Sequence, residues 1–214
     1  MKVAPSILTA DFRNLEKEIR LIDSAADYIH LDIMDGTFVP NLSFGFPVVD
    51  AVSKVASCPL DAHLMVVNPQ KWFEKFASYG VQMLSFHLEA AGWKSGRYLR
   101  QIKKLGMKAG IAVDPDVPVK KLFPYIGKAD FFLIMSVFAG FGGQKFIYET
   151  IDRVHELQDE IKRRGAECLI QVDGGVGPSN IQALKQAGVD IVVAGSSVIG
   201  AEDPVAVIRE LQAA

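Results

Sequence analysis

Residues 168–195 read CLIQVDGGVGPSNIQALKQAGVDIVVAG, and the fold is decided in this stretch. An apolar run at 168–173 ends on Asp173 and passes into Gly174-Gly175. A segment with apolar residues at helical spacing follows, opened by Pro178-Ser179 and closed by Gly188, and a second apolar run fills 190–194. Short aliphatic runs bounded by glycine read as strands, and proline at the start with glycine past the end reads as a helix. Strands alternating with helices imply a parallel sheet, and runs that are apolar throughout imply strands covered on both faces.

The same unit recurs toward the N-terminus. Further strands are expected at 3–8, 28–34, 59–65, 82–88, 108–113 and 131–137. Between them, DFRNLEKEIRLID turns one face of Phe12, Leu15, Ile19 and Ile22 inward. IYETIDRVHELQDEIKRRG does so with Ile147, Ile151, Val154, Leu157 and Ile161. Asn68-Pro69 and Asp203-Pro204 open two more helices, and Gly80, Gly106 and Gly165 stand where a left-handed residue ends one. Eight strand–helix units close into a (β/α)8 TIM barrel of α/β class with parallel strands. An open doubly wound sheet has fewer strands and a glycine fingerprint after the first, where this chain has Leu8-Thr9-Ala10-Asp11. No linker, low-complexity stretch or charge block divides the chain, so one domain is expected over residues 1–214.

A chain of 214 residues, 50% hydrophobic and 22% charged, buries enough surface to fold without disulfides or structural metals. That composition excludes a disordered chain, a collagen and a miniature disulfide scaffold. A net charge of −2 argues against general nucleic-acid binding. The start, MKVAPSILTADF, has no cleavage-type segment, and no stretch approaches the ~20 apolar residues of a membrane span. Cys58 and Cys168 are far apart and form no CxxC, so a reducing, cytoplasmic location is expected.

In a barrel the chemistry sits at the carboxyl ends of the strands. The second strand ends His30-Leu31-Asp32-Ile33-Met34-Asp35-Gly36, and its period of two puts His30, Asp32 and Met34 on one face. Likewise Asp61, His63 and Met65 share a face of the third, and the seventh ends on Asp173. A single His or Asp at a strand end is ordinarily a turn or capping group, and Asp35 before Gly36 reads so. Four such groups at one mouth, His30, Asp32, His63 and Asp173, would each be costly to bury unpaired, and one divalent cation satisfies all of them. Mixed imidazole and carboxylate ligands suit Zn2+, Fe2+ or Mn2+ better than Ca2+.

Glycines form the second constellation: Gly140-Phe141-Gly142-Gly143-Gln144 after strand six, Gly174-Gly175 after strand seven, and Gly195-Ser196 after strand eight. Barrels bind phosphate with the loops of this corner, through main-chain N–H groups that glycine allows to approach closely. A metal facing a phosphate pocket suggests a phosphorylated ketose, whose C–H the metal acidifies by stabilising an enediolate. Asp32 and Asp173, on separate strands, would flank it, one removing a proton and the other returning one to the opposite face. No strand ends in a lysine fit for a Schiff base, since Lys108 opens the fifth strand, and neither cysteine sits beside a histidine.

The segments APSILTADF, HLDIMDGTFVPN, LDAHLMVVNP, GFGGQKF, VDGGV and AGSSVIG resemble the D-ribulose-5-phosphate 3-epimerase family from Ala4 to about Pro204. The resemblance implies interconversion of D-ribulose 5-phosphate and D-xylulose 5-phosphate, in the pentose phosphate pathway or the Calvin cycle. It implies His30, Asp32, His63 and Asp173 as metal ligands, with Asp32 also proton acceptor and Asp173 donor in one direction. Ser6 and His63 resemble substrate contacts. Gly140, Phe141, Gly142 and Gly143 resemble a flexible lid that meets the phosphate with Gly174, Gly175, Gly195 and Ser196. His87 would be a supporting partner or a structural residue, and dimers or hexamers are implied.

The chain departs from that family at Phe138-Ala139, where a polar residue and then proline are usual. Loss of the proline predicts a more mobile lid, and the departure keeps a D-allulose 6-phosphate 3-epimerase in view. A lyase of the orotidine-monophosphate decarboxylase type would want a lysine two residues after an aspartate, whereas Ile33 and Met34 follow Asp32. A non-catalytic phosphate-binding barrel gives no reason for two opposed carboxylates and two histidines.

Overall fold

Eight parallel strands neighbour one another in the order β1-β8-β7-β6-β5-β4-β3-β2 in the computed structural model, which describes residues 1–214. They are β1 (Lys2–Pro5), β2 (Ile29–Met34), β3 (Leu60–Met65), β4 (Met83–His87), β5 (Lys108–Val113), β6 (Phe131–Met135), β7 (Leu169–Asp173) and β8 (Ile191–Ala194). A single parallel bridge, Ser6 to His30, joins β1 to β2 and rounds the sheet into the expected (β/α)8 barrel. The helices are α1 (Leu15–Asp23), α2 (Phe46–Val55), α3 (Phe73–Ser78), α4 (Leu88–Ala91), α5 (Ser95–Lys104), α6 (Thr150–Arg163), α7 (Ile181–Ala187), α8 (Ser196–Ile199) and α9 (Pro204–Ala213). No helix is long and apolar enough to cross a membrane.

Strand alternation divides the interior in two. Leu31, Leu64, Phe86, Ile134 and Val172 face outward into a core of 48 buried residues, where they meet Ile19, Val49, Phe76, Leu157 and Leu184 of the helices. The inward set is different in kind: His30, Asp61, His63, Ser85, His87 and Gln171 are all completely buried. Beneath them a small apolar cluster of Ala4, Tyr28, Met83, Phe131, Ile191 and Val193 closes the floor. Register carries this layering across strands, pairing His30 with Asp61 and Asp32 with His63.

Several boundaries differ from the expected ones for identifiable reasons. The first strand stops at Pro5, because the Ser6 hydroxyl accepts from Leu8 N–H and turns Ile7–Thr9 into a 3-10 helix. Phe12 lies outside the core; it precedes α1 in a second 3-10 turn, half-exposed, with its ring against Phe44. Asn68 adopts φ +54°, so Pro69–Lys71 form a 3-10 turn and the third helix starts later, at Phe73. Between β5 and β6 the connection is a 3-10 helix, Val119–Tyr125, with Pro124 inside it, since proline cannot supply the i→i−4 bond of an α-helix. Gly80, Gly106, Gly165 and Gly188 all take the positive φ expected of helix ends.

Candidate active site

His30 and Asp32 of β2, His63 of β3 and Asp173 of β7 converge at the carboxyl end of the barrel. One donor atom from each lies within 4.8 Å of the others. His30 Nε2 is 3.4 Å from Asp32 Oδ1 and 3.9 Å from Asp173 Oδ2. His63 Nδ1 is 3.3 Å and 3.7 Å from the same two oxygens. These separations exceed those of good hydrogen bonds and suit ligand atoms arranged around one small ion.

The tautomers follow from the neighbours. Asp61 Oδ2 lies 2.8 Å from His30 Nδ1 and also accepts from Gln171 Nε2 at 2.5 Å. In the neutral, metal-binding form of His30 the hydrogen sits on Nδ1, toward the Asp61 oxygen, and Nε2 keeps its lone pair. That Nε2 is buried without a hydrogen-bond partner. On the other ring, His63 Nε2 lies 2.9 Å from His87 Nε2, which leaves His63 Nδ1 to face the carboxylates. An orphaned imidazole nitrogen aimed at two carboxylates is what a divalent cation would complete, so the four residues fit the metal expected of them.

Electrostatics separate the two aspartates. Burial alone would raise the Asp32 carboxyl, but the nearby charges of His30 and His63 outweigh it and hold this group below the usual carboxylate range. Burial, joined by the neighbouring Asp32 charge, raises Asp173. Burial lowers both imidazoles, yet the carboxylates prevail: Asp32 and Asp61 raise His30 well above its ordinary value, and Asp173 and Asp32 raise His63. Ser6 Oγ donates to Asp32 Oδ2 at 2.5 Å and fixes that carboxylate from β1.

Above the cluster opens a cavity lined by Asp32 and Asp173, the methionines Met34, Met65 and Met135, and the three glycine-bearing loops. Ser6, Gly140, Phe141, Gly142, Gly143, Gly174, Gly175, Gly195 and Ser196 all line it. His30 and His63 do not, since both lie beneath the carboxylates, wholly buried. The main chain comes close at the β7 corner: Gly174 has φ +117°, and a Cβ there would meet Val137 Cγ2 at 2.4 Å. Cys58 and Cys168 stand elsewhere, and burial pushes both thiols up to about 12, with Asp23 adding to the effect on the first and Asp130 on the second.

Three supports had no signature at the sequence level. Gln171 Nε2 donates to Asp61 Oδ2 from the opposite side of the barrel. Asn41 Nδ2 donates to Gly140 O at 2.7 Å. Arg153, on a helix that reads as charged outside, donates to the main-chain oxygens of Met135, Asp114 and Val117. Asp35 is the turn residue it was expected to be, accepting from Thr37, Phe38 and Val67 N–H.

Fold and cluster define a barrel enzyme with its reactive groups at the carboxyl ends of the strands. Residues 2–199 match the model of the ribulose-phosphate 3 epimerase family, and the chain belongs to that family. It is 45% identical over 201 residues to the ribulose-phosphate 3-epimerase of Synechocystis sp., covering 93% of this chain and 87% of the relative. The cytoplasmic isoform of ribulose-phosphate 3-epimerase from Oryza sativa subsp. japonica is 40% identical over 215 residues, covering 99% and 92%. Among solved structures, a 3-hexulose-6-phosphate synthase superposes with a TM-score of 0.75 over 100% of this chain and 99% of its own, at 17% identity, a likeness of fold.

Proposed function

We propose that this chain interconverts D-ribulose 5-phosphate and D-xylulose 5-phosphate by two-base proton transfer at C3. The observation that carries the reading is the convergence of two carboxylates and two imidazole nitrogens within 4.8 Å at the floor of a glycine-rimmed cavity. His30 Nε2, His63 Nδ1, Asp32 and Asp173 would hold one divalent cation, Zn2+, Fe2+ or Mn2+. When bound, it supplies Lewis-acid stabilisation of negative charge developing on the substrate oxygens.

The side chains do the rest. Asp32, kept ionised by its histidines, takes the C3 proton from one face. Asp173, whose carboxyl is raised, returns a proton to the other face, and the roles exchange in the reverse direction. Ser6 orients Asp32 through its hydroxyl. The methionines Met34, Met65 and Met135 line the cavity with apolar surface that limits water around the planar intermediate. Gly142, Gly143, Gly174, Gly175, Gly195 and Ser196 seat the phosphate with main-chain groups. A cytoplasmic setting and assembly into homo-oligomers belong to the same reading.

Solvent exchange tests it. In D2O the protein is expected to place deuterium at C3 of ribulose 5-phosphate, and Asp32→Asn and Asp173→Asn are each expected to abolish that exchange. Exchange persisting in both variants removes the two-base mechanism. Faster turnover of D-allulose 6-phosphate than of the pentulose would move the substrate assignment to the hexulose.

A further inference from the structure

Ala139 stands at the root of the 140–143 loop, where resemblance to the family leads one to expect proline. Its N–H, which proline would lack, donates to Asp114 Oδ1 at 3.1 Å. That carboxylate sits on a braced segment of chain. The N–H of Asp114 donates to Glu89 Oε1 at 2.9 Å, and the carbonyl of Asp114 accepts from Arg153 Nη2 at 2.8 Å. Arg153 lies near the start of α6, into which the loop leads. Its Nη1 donates at 2.9 Å to the carbonyl of Met135, the last residue of β6, from which the loop departs. One guanidinium thus ties together the two ends of the connection and the chain after β5.

Beyond Ala139 the loop has side-chain bonds of its own. Asn41 donates to the Gly140 carbonyl, and Gln144 Nε2 donates to the carbonyls of Phe138 and Phe141. Gly140 and Gly143 take positive φ, the only such positions between β6 and α6. The segment between them covers the cavity and packs so closely on Thr9 that a Cβ at Gly142 would lie 2.8 Å from its Cγ2. His87, Glu89 and Asp114 form a cluster of their own beside this root. It does not serve as a second cation site while His63 holds a metal. In that state His63 donates Nε2–H to His87, so His87 Nδ1 carries its hydrogen and offers no lone pair.

We propose that Asp114 is a positioning residue for the epimerase reaction: it latches the root of the 140–143 loop through the Ala139 N–H, so that the loop is presented over the sugar phosphate. The proposal rests on the function proposed above. It also reverses the expectation of a looser lid, because the donor exposed by the missing proline is captured by a carboxylate, the stronger class of acceptor.

The test compares amide hydrogen exchange of residues 140–143 and steady-state kinetics in the metal-loaded, full-length protein. Asp114→Ala is expected to speed that exchange about tenfold, the order of effect of one hydrogen bond to a charged group. It is expected to raise KM for ribulose 5-phosphate about tenfold while kcat changes less than about threefold, because the loop contacts the phosphate and both aspartates are untouched. Asp114→Asn keeps an acceptor oxygen and is expected to restore exchange and KM to within about threefold of the parent. In an Ala139→Pro background, which has no N–H to capture, Asp114→Ala is expected to add nothing further. Unchanged loop exchange in Asp114→Ala, an Asp114→Asn variant as loose as Asp114→Ala, or a full Asp114 effect surviving in Ala139→Pro would each overturn the latch. If Asp114→Ala does not fold, Asp114→Ser provides the same contrast, since its hydroxyl is one atom too short to reach Ala139. Loop exchange needs no substrate, so a chain inactive on ketose phosphates would defeat the functional reading and leave the latch to be judged separately.

Discussion

His63 and His87 meet Nε2 to Nε2 at 2.9 Å, their rings stacked at an interplanar angle of 25°. Two imidazole nitrogens so close share one hydrogen. With His63 Nδ1 committed to the carboxylate side, that hydrogen belongs to His63 and is accepted by His87. The partner of a ligating imidazole sets its tautomer and orientation.

His87→Ala is therefore expected to weaken metal binding about 10–100-fold, the usual cost of losing such a partner. His87→Gln, whose amide oxygen still accepts, is expected to recover part of it. Competition titration of zinc against a chromogenic chelator measures both, and an unaltered affinity in His87→Ala would show that His63 needs no such support.

Stability of the chelated protein is expected to depend on pH with a definite sign. The raised values of His30 and His63 make their contribution complete below about 6.5, the unfolded-state value, and lost as pH rises through the higher folded-state values. Raised Asp173 acts in the same direction, because folding favours its neutral form. Asp32, which is lowered, adds stability above its unfolded value that disappears only as pH falls through the depressed one. Chelated protein should thus melt at a lower temperature at pH 9 than at pH 6. Zinc loading should run the other way and weaken as pH falls, because protons compete for the same nitrogens. Differential scanning fluorimetry with and without zinc separates the two; a chelated melting temperature that rises steadily to pH 9 would contradict the charge pattern of the cluster.

Gly110 lies beneath the site, where a Cβ would stand 2.3 Å from Cζ of the Phe131 ring. Gly110→Ala is expected to destabilise the barrel by about 1–3 kcal/mol through overpacking. Adding Phe131→Leu, which withdraws the ring, should recover part of that loss in urea melts. A double variant no more stable than Gly110→Ala alone would place the strain elsewhere.

Much of the site was legible because strand parity is a local property. A spacing of two puts His30 and Asp32 on one face and Asp61 and His63 on another, and the register of β2 against β3, which spacing alone does not give, sets His30 beside Asp61 and Asp32 beside His63. The glycine loops were legible for a similar reason, since each follows its strand directly and all three end at the same rim. What escaped depends on contacts between distant units. Arg153 reads as one more surface charge on α6 until the fold carries it back to Met135 and Asp114, 18 and 39 residues away in the chain. Ala139 reads as a lost restraint until Asp114 is seen beside it. Phe12 fits the apolar face by spacing, but α1 begins only at Leu15, so the helical period does not extend to it.

The lone Ser6–His30 bridge between β1 and β2 gives the barrel a seam, the one junction of neighbouring strands without a regular ladder. Its two residues are a ligand candidate and the hydroxyl that holds Asp32. Parting of the two strands would therefore dismantle the proposed acid–base pair before the rest of the sheet has to unravel. Turnover then becomes a gauge of whether the ring of strands is shut, and the cation proposed for His30, Asp32, His63 and Asp173 would steady the β2 edge of that seam from within.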